Sequence, residues 1–389
     1  MADEKQLFEQ FEKVFGYPGT GLYFSPGRIN LIGEHTDYNG GKVFPCAITV
    51  GTYAVVSKKE GKEVHAYSGN FPELGISSFS LENLQYEKES GWTNYLKGML
   101  LYIQEMTGEI TEGFDIYIYG TIPNGASLSS SASLEVLMGV IANDLYGLDL
   151  SGETLAKLGQ RVENDFLGLN TGIMDQFIIA NAKKDHALFL DTQTLTYEQI
   201  PLKLPNHKIV IMNSMAKREL VDSEYNTRRQ QCEEAVSRLN KELSISTLGE
   251  LTIEEFEKYR HLIDDDVLEK RAKHAVYENI RTEQATEALR NNELEDFGRL
   301  MDDSHLSLHE DYEVTIPETD LLVRSAWKQP GTIGARMTGG GFGGCCIALV
   351  ENDQVKSFKT KVEEIFEEAF QYRPEIYLAE TQAHARKLN

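Results

Sequence analysis

Cysteine is scarce and unpatterned in this 389-residue chain: Cys46, Cys232, Cys345 and Cys346 form no C-x-x-C pair. A disulfide framework and a cysteine-built zinc site are therefore excluded, and reduced thiols in the cytoplasm are the default. Positive charge is scarce as well, with 38 Lys and Arg against 61 Asp and Glu and a formal charge of -23. Contact with nucleic acid or anionic lipid needs a basic face that releases counterions, so neither is expected as a partner. An anionic substrate needs a local positive pocket. No apolar run is long enough to span a bilayer, and residues Met1 to Gly16, with Leu7, Phe8, Phe11, Val14 and Phe15 among acidic positions, read as an amphipathic helix instead of a signal peptide. Also absent are G-x-x-x-x-G-K-[ST], the protein-kinase catalytic loop and D-F-G. A literal G-x-G-x-x-G at Gly339, Gly341 and Gly344 leads into a strand, the wrong context for a dinucleotide fingerprint.

What is present is enough apolar residue, 41%, to bury a large core, and a length that suggests two domains. Alternation from Lys42 to Tyr67, with turn signals at Gly51 and Glu60-Gly61, predicts consecutive antiparallel strands. Phe114 to Tyr119 is the cleanest strand, with Phe114, Ile116 and Ile118 on one face. After the loop Pro123 to Ser130, apolar residues at 134, 137, 141 and 145 predict a helix that Gly147 ends. A second helix carries Leu155, Leu158, Val162 and Phe166. Strand-like segments from Asp191 to Leu204 then give way to long charged helices from Arg228 to Arg299, which places a domain boundary near residue 205, dividing 1–205 from 206–389. One of those helices aligns Cys232 with Val236, Leu239 and Leu243 as a buried stripe. A strand, glycine turn and strand over Arg336 to Val350, a helix through Val355, Phe358, Val362 and Ile365, and a closing strand at 376–379 suit an α+β second domain.

Chemistry concentrates in three places. Gly27 to Gly41 gathers Arg28, Glu34, His35, Thr36, Asp37 and Asn39 in a strand that opens into a loop turning at Asn39-Gly40, a surface suited to a hydroxyl-rich ligand. Pro123-Asn124-Gly125-Ala126-Ser127-Leu128-Ser129-Ser130-Ser131-Ala132-Ser133 puts small and hydroxyl residues at a helix start, where unpaired N–H groups and the helix dipole favour phosphate. A plain Ser-rich N-cap explains the same composition. Glu163 stands at the margin of its helix's apolar stripe, partly buried, where a salt-bridged edge residue is the ordinary reading. Asp175 follows the loop Gly168 to Gly172, where a helix dipole alone favours an acid. His305 and His309 are four apart with Asp302, Asp303 and Glu310 nearby, but position 306 is Leu and a surface or interdomain helix explains them.

The segment Gly27 to Gly41 resembles the signature of galactokinases, within the GHMP family of small-molecule kinases. Pro123 to Ser133 is similar to the second motif of that family, and Thr338-Gly339-Gly340-Gly341-Phe342-Gly343-Gly344 resembles the third, which braces the active site. The resemblance covers nearly the whole chain. It implies a two-domain α+β GHMP-kinase-like fold, mixed and antiparallel sheets packed by helices, with the active site between the domains. The implied reaction is ATP-dependent phosphorylation of D-galactose at C1 to α-D-galactose 1-phosphate, in galactose catabolism, by a cytoplasmic monomer. Other readings of the same motifs are an N-acetylgalactosamine, mevalonate or homoserine kinase, or a galactose and ATP sensor without turnover.

Carried over residue by residue, Asp175 is the catalytic carboxylate at the C1 hydroxyl, and Arg28 pairs with it and stabilises transition-state charge. Glu34, His35, Thr36, Asp37, Asp175 and Tyr225 bind sugar. Ser68, Gly125, Ala126, Ser127, Leu128, Ser129, Ser130 and Ser131 bind ATP, Trp92 lies near the adenine or belongs equally well to the core, and Ser131 with Glu163 holds Mg2+, whose preference is for oxygen ligands. Position 127 departs from the family, which usually has Gly there; a backbone of positive φ at Ser127 costs about 1–2 kcal/mol.

Overall fold

Strand Gly21–Asn30 is buried along its whole length because different structures cover its two faces. The computed structural model describes residues 2–123, 125–216 and 221–389, without side chains at 221–223. In it, Tyr23 faces a core shared with helices Thr93–Thr107 and Ser130–Tyr146, while Leu22 and Phe24 face helix Glu4–Phe15 through Leu7 and Phe11. This is the period-2 alternation of a strand.

The strand lies in a mixed six-stranded sheet, in the order Arg386–Lys387, Gly21–Asn30, Pro45–Lys58, Phe114–Gly120, Glu63–Ser68, Ile76–Ser80. Lys42–Val43, His186–Asp191 and Tyr197–Pro201 form a small second sheet. The third sheet is antiparallel, in the order Thr332–Thr338, Cys345–Glu351, His207–Asn213, Glu375–Ala379. One face of it packs Val210, Met212, Met337 and Ala348 against Cys232 and Ala272 from the charged helices and Phe358 and Val362 from helix Val355–Phe370. Its other face, Ile209, Ile211, Ile347 and Leu349, meets Ile29, Leu31, Phe44 and Ile48 from the first half of the chain, together with Ala126 and Leu128. The halves thus share one apolar core, and the loop residues Ala126 and Leu128 are anchored in it.

Three sequence expectations need correction. Pro45–Lys58 and Glu63–Ser68 are not neighbours: Phe114–Gly120 inserts between them and pairs parallel with Val64–Ser68. Gly51 is not a turn either, since the strand runs through it. Its role is close approach, because the register shifts between Pro26 and Gly27 and a Cβ on Gly51 would lie 2.2 Å from the Ser25 carbonyl oxygen. Past this bulge Gly27 admits the loop above it: a Cβ there would sit 2.8 Å from the Leu128 carbonyl oxygen, which accepts a 3.2 Å bond from the Arg28 N–H. Finally, the chain does not close at residue 379. It returns to pair Arg386 and Lys387 with Phe24 and Tyr23.

Gly51→Ala is expected to destabilise the protein by about 1–3 kcal/mol, the usual cost of forcing extra atoms into a packed site. A denaturant midpoint equal to wild type would contradict the close-approach role.

Candidate active site

The loop between strand Phe114–Gly120 and helix Ser130–Tyr146 is held down by the burial of Ala126 and Leu128. Between and after them, Ser127 and Ser129 both adopt positive φ, 59° and 63°. Ser129 occupies the N-cap position in left-handed geometry and makes no capping bond to its own helix; its hydroxyl donates instead to Asp175 Oδ2. A simple Ser-rich cap does not account for this arrangement. The N-cap side chain thus leaves the first N–H groups of the helix uncapped, which suits an anion. Asn124 lies outside the described residues.

Arg28 reaches the same point from below. Its Nε donates to Asp175 Oδ1 and its Nη2 to Oδ2, both at 2.9 Å, and its Nη1 donates to the Ser127 carbonyl at 2.7 Å. Asp175 stands in the first turn of helix Met174–Asn181. With Ser129 added, three donors occupy its carboxylate, leaving acceptor capacity for one more hydroxyl.

Glu163 is buried more deeply than its helical position predicts, only 5% exposed. The physical reason is a π-helical turn over Val162–Phe166, which breaks the 3.6-residue period. Its Oε1 accepts from Ser131 Oγ at 2.9 Å and its Oε2 from Thr171 Oγ1 at 2.5 Å. Desolvation raises its carboxyl above the ordinary range, against those two hydrogen bonds. A buried carboxylate with hydroxyl neighbours and no described cationic partner has the donor chemistry of a hard divalent cation site. Among the described residues no cluster of three His, Cys, Asp or Glu side chains could hold a metal by itself, and His305 and His309 both face Asp320.

On the opposite wall the loop after Ile32 is shaped by its own side chains and by helix Asp266–Arg290. Thr36 donates to the Gly33 and Lys42 carbonyls, Asn39 donates to the His35 carbonyl, and His274 Nε2 lies 3.1 Å from the Glu34 carbonyl. His35, at φ 61°, sets its Nδ1 2.7 Å from the Tyr38 hydroxyl, which meets Tyr312 at 2.7 Å. Its Nε2 is buried without a partner. Burial lowers the His35 ring to about 3, so it is neutral at physiological pH, whereas desolvation followed by the nearby Asp175 charge pushes Asp37 up to about 7. Tyr225 stacks obliquely 5.4 Å from His35.

These walls enclose one cleft. Arg28, Glu34, His35, Asp37, Glu163, Asp175, Tyr225 and residues 125–131 line it, with Thr171, Gly172, Gly339 and Gly340. Thr36 does not; its hydroxyl is consumed within the loop. Ser68 is also outside the lining, at the end of its strand beside Ile118, and Trp92 packs against the helix and sheet core. Sequence reading missed the Ser129 contact to Asp175, Thr171 on Glu163, and Arg336, which donates to Glu34 from strand Thr332–Thr338. The available signal for Arg336 was its place two residues before Thr338-Gly339-Gly340. Among the described lining residues there are four carboxylates, Glu34, Asp37, Glu163 and Asp175, and one cation, Arg28. Polyphosphate therefore needs backbone N–H groups and a metal cation here.

Family models agree with this architecture: the GHMP kinases N terminal domain matches residues 94–183 and the GHMP kinases C terminal domain residues 285–368. Mevalonate kinase from Methanococcus jannaschii shares the fold, with a TM-score of 0.66 at 21% identity over 94% of this chain and 99% of that one. The class is thus a GHMP-type small-molecule kinase. A galactokinase galactose-binding signature matches residues 9–58. The chain is 54% identical to a galactokinase of Streptococcus thermophilus, covering 99% of each, and 52% identical to one of Ligilactobacillus salivarius, covering 97% of this chain and 98% of that one. The crystal structure of Lactococcus lactis galactokinase complexed with galactose superposes with a TM-score of 0.97 at 47% identity, covering 99% of each chain. The chain belongs to the galactokinase family.

The positive φ of Ser127, and its buried hydroxyl without a partner, sharpen one expectation. Ser127→Gly relieves left-handed strain but adds backbone entropy to the unfolded chain, a net gain of about 0.5–1 kcal/mol. ATP turnover equal to or above wild type is expected; a clear loss of activity would contradict it.

Proposed function

We propose that the cleft transfers the γ-phosphoryl group of ATP to the C1 hydroxyl of galactose, with the triphosphate along residues 125–131 and the sugar against Glu34, His35, Asp37 and Tyr225. The observation that carries this is the Arg28–Asp175 pair: both residues bond the phosphate loop, Arg28 at the Ser127 carbonyl and Asp175 at the Ser129 hydroxyl, and both line the cleft that Glu34, His35, Asp37 and Tyr225 wall on its other side. Phosphoryl transfer depends chiefly on alignment and charge stabilisation. Asp175 has room for one further hydroxyl, and in that place it orients the C1 oxygen for attack on phosphorus. The bond from phosphorus to the β,γ-bridging oxygen breaks as the new one forms, ADP carries away the electron pair, and the C1 hydroxyl proton leaves along its hydrogen bond to Asp175, which returns it to solvent. Arg28 stands beside the charge that develops on the phosphoryl oxygens.

Ser131 and Glu163 fit Mg2+, which when bound to ATP neutralises phosphate charge that this acidic cleft would otherwise repel. The residues' own part is to supply oxygen ligands, with Thr171 orienting the carboxylate. His35, neutral at physiological pH, lines the sugar side. Four free, buried cysteines suit a reducing cytoplasm.

Asp175→Asn is expected to lower kcat by about 10²–10⁴-fold, the range for a positioned proton-transfer group, while calorimetry still detects galactose binding. Near-normal turnover would overturn the assignment. A second outcome follows from Asp37. Its carboxyl takes a proton below about pH 7 and is ionised above it, and an ionised acceptor binds hydroxyls more strongly. kcat/KM for galactose should therefore rise with pH through about 7, and Asp37→Asn should flatten that limb. A limb that persists in Asp37→Asn would assign the titration elsewhere.

A further inference from the structure

Behind Glu34, on the side away from the cleft, lies a buried ionic cluster that the reaction scheme above does not use. Arg336 is fully buried in strand Thr332–Thr338, and its Nη1 donates to Glu34 Oε1 at 3.2 Å and to the Asn30 carbonyl at 3.1 Å. The Gly339 N–H adds a 2.8 Å bond to the same Glu34 oxygen. Arg336 Nη2 stands 4.0 Å from Glu278 Oε1, and neither that nitrogen nor Nε has a hydrogen-bond partner. Glu278, on helix Asp266–Arg290, accepts the Gly33 N–H at 3.0 Å and the Ser304 hydroxyl at 2.6 Å, and pairs with Arg281.

A buried ion pair is an expensive way to fill a core, and well-packed apolar residues are often at least as stabilising. Neighbours Ala335 and Met337 fill their positions with apolar side chains. Packing alone therefore does not call for a guanidinium at position 336. What it reaches is the back of a carboxylate whose front lines the sugar wall.

We propose that Arg336 is a positioning residue for sugar recognition: bonded to Glu34 Oε1, it holds that carboxyl aimed into the cleft as an acceptor, while Glu278 anchors the backbone of the same loop. Glu34 then meets the sugar solely as an acceptor, and so selects a hydroxyl that donates. This inference rests on Glu34 being a sugar contact.

The groups around Glu34 are few. Arg336 and the Gly339 N–H face it from one strand and its turn, and Arg28 and Asn30 from strand Gly21–Asn30; His274 and Glu278 approach from the long helix, and Asp37 from its own loop. Burial raises the Glu34 carboxyl and Arg336 is the largest influence opposing that rise. Without the guanidinium, Glu34 takes a proton at higher pH, and its value to the sugar falls as pH falls.

KM for galactose and for ATP, measured between about pH 6 and 9 in wild type, Arg336→Gln, Arg336→Lys, Glu34→Gln and the Arg336→Gln/Glu34→Gln double variant, tests this. The ratio of Arg336→Gln to wild-type galactose KM is expected to rise roughly tenfold or more from the alkaline to the acid end, the loss of a hydrogen bond to a charged group. The ATP ratio should stay level. Arg336→Lys, which keeps the charge, should show a level galactose ratio, as should the double variant relative to Glu34→Gln. A pH-independent galactose ratio for Arg336→Gln, or equal changes in both KM values, would overturn the inference. If Glu34→Gln alone leaves galactose KM unchanged, the sugar-contact reading fails instead, and the inference falls with it. Should Arg336→Gln not fold, the Glu34→Gln to wild-type ratio of galactose KM over the same pH range decides: a ratio that stays level and well above one supports an ionised Glu34, and one that is near one or falls toward one at the acid end contradicts it.

Discussion

The ion pair between Arg28 and Asp175 is the contact on which the cleft is organised. Arg28 comes from a strand that has just passed a bulge, Asp175 from the first turn of a short helix, and Ser127 and Ser129 from the loop between them. A forked guanidinium fits a carboxylate in one plane only. Once both oxygens of Asp175 are taken at 2.9 Å, the relative positions of strand, helix and loop are set within narrow limits. Gly27 and Gly51 belong to the same constraint, since the bulge and the loop above it require backbones to meet without Cβ atoms.

Around that pair the cleft is acidic, in a chain that is itself strongly acidic. The balance is local. Asp175 is offset by Arg28, Glu34 by the buried Arg336, and Asp37 by taking up a proton near neutrality. Glu163 accepts from the Ser131 and Thr171 hydroxyls and has no cationic partner among the described residues, which is why the proposed scheme gives it to a cation. The two walls of the cleft therefore differ: the Glu34 wall is backed by a buried arginine, and the Glu163 wall has no described cation.

Much of this was legible in the sequence. The strand at 114–120 and the helix ending at Gly147 follow from local periodicity and a left-handed glycine. Crowding of unlike polar groups between Gly27 and Gly41 marked a segment that does line the cleft through Arg28, Glu34, His35 and Asp37. Strand order was not legible, because the parallel pairing of Glu63–Ser68 with Phe114–Gly120 spans dozens of residues and leaves no local signature. Gly51 was misread for the same reason: its φ is ordinary, and only the opposing Ser25 carbonyl explains it. Thr36 sits among cleft residues in sequence, yet a tight loop turns successive side chains in different directions. Glu163 was placed by a regular helical period that a π turn interrupts. Arg336 is separated from Glu34 by most of the chain, so its role is purely tertiary.

The central claim is that Arg28 and Asp175 act as one unit at the junction of phosphate and sugar. A double-mutant cycle on kcat/KM with Arg28→Met and Asp175→Asn tests it most directly, since groups that act together are strongly non-additive. If the pair is one unit, the double variant loses about as much as the worse single variant. Losses that multiply would show two independent contributions and contradict the account.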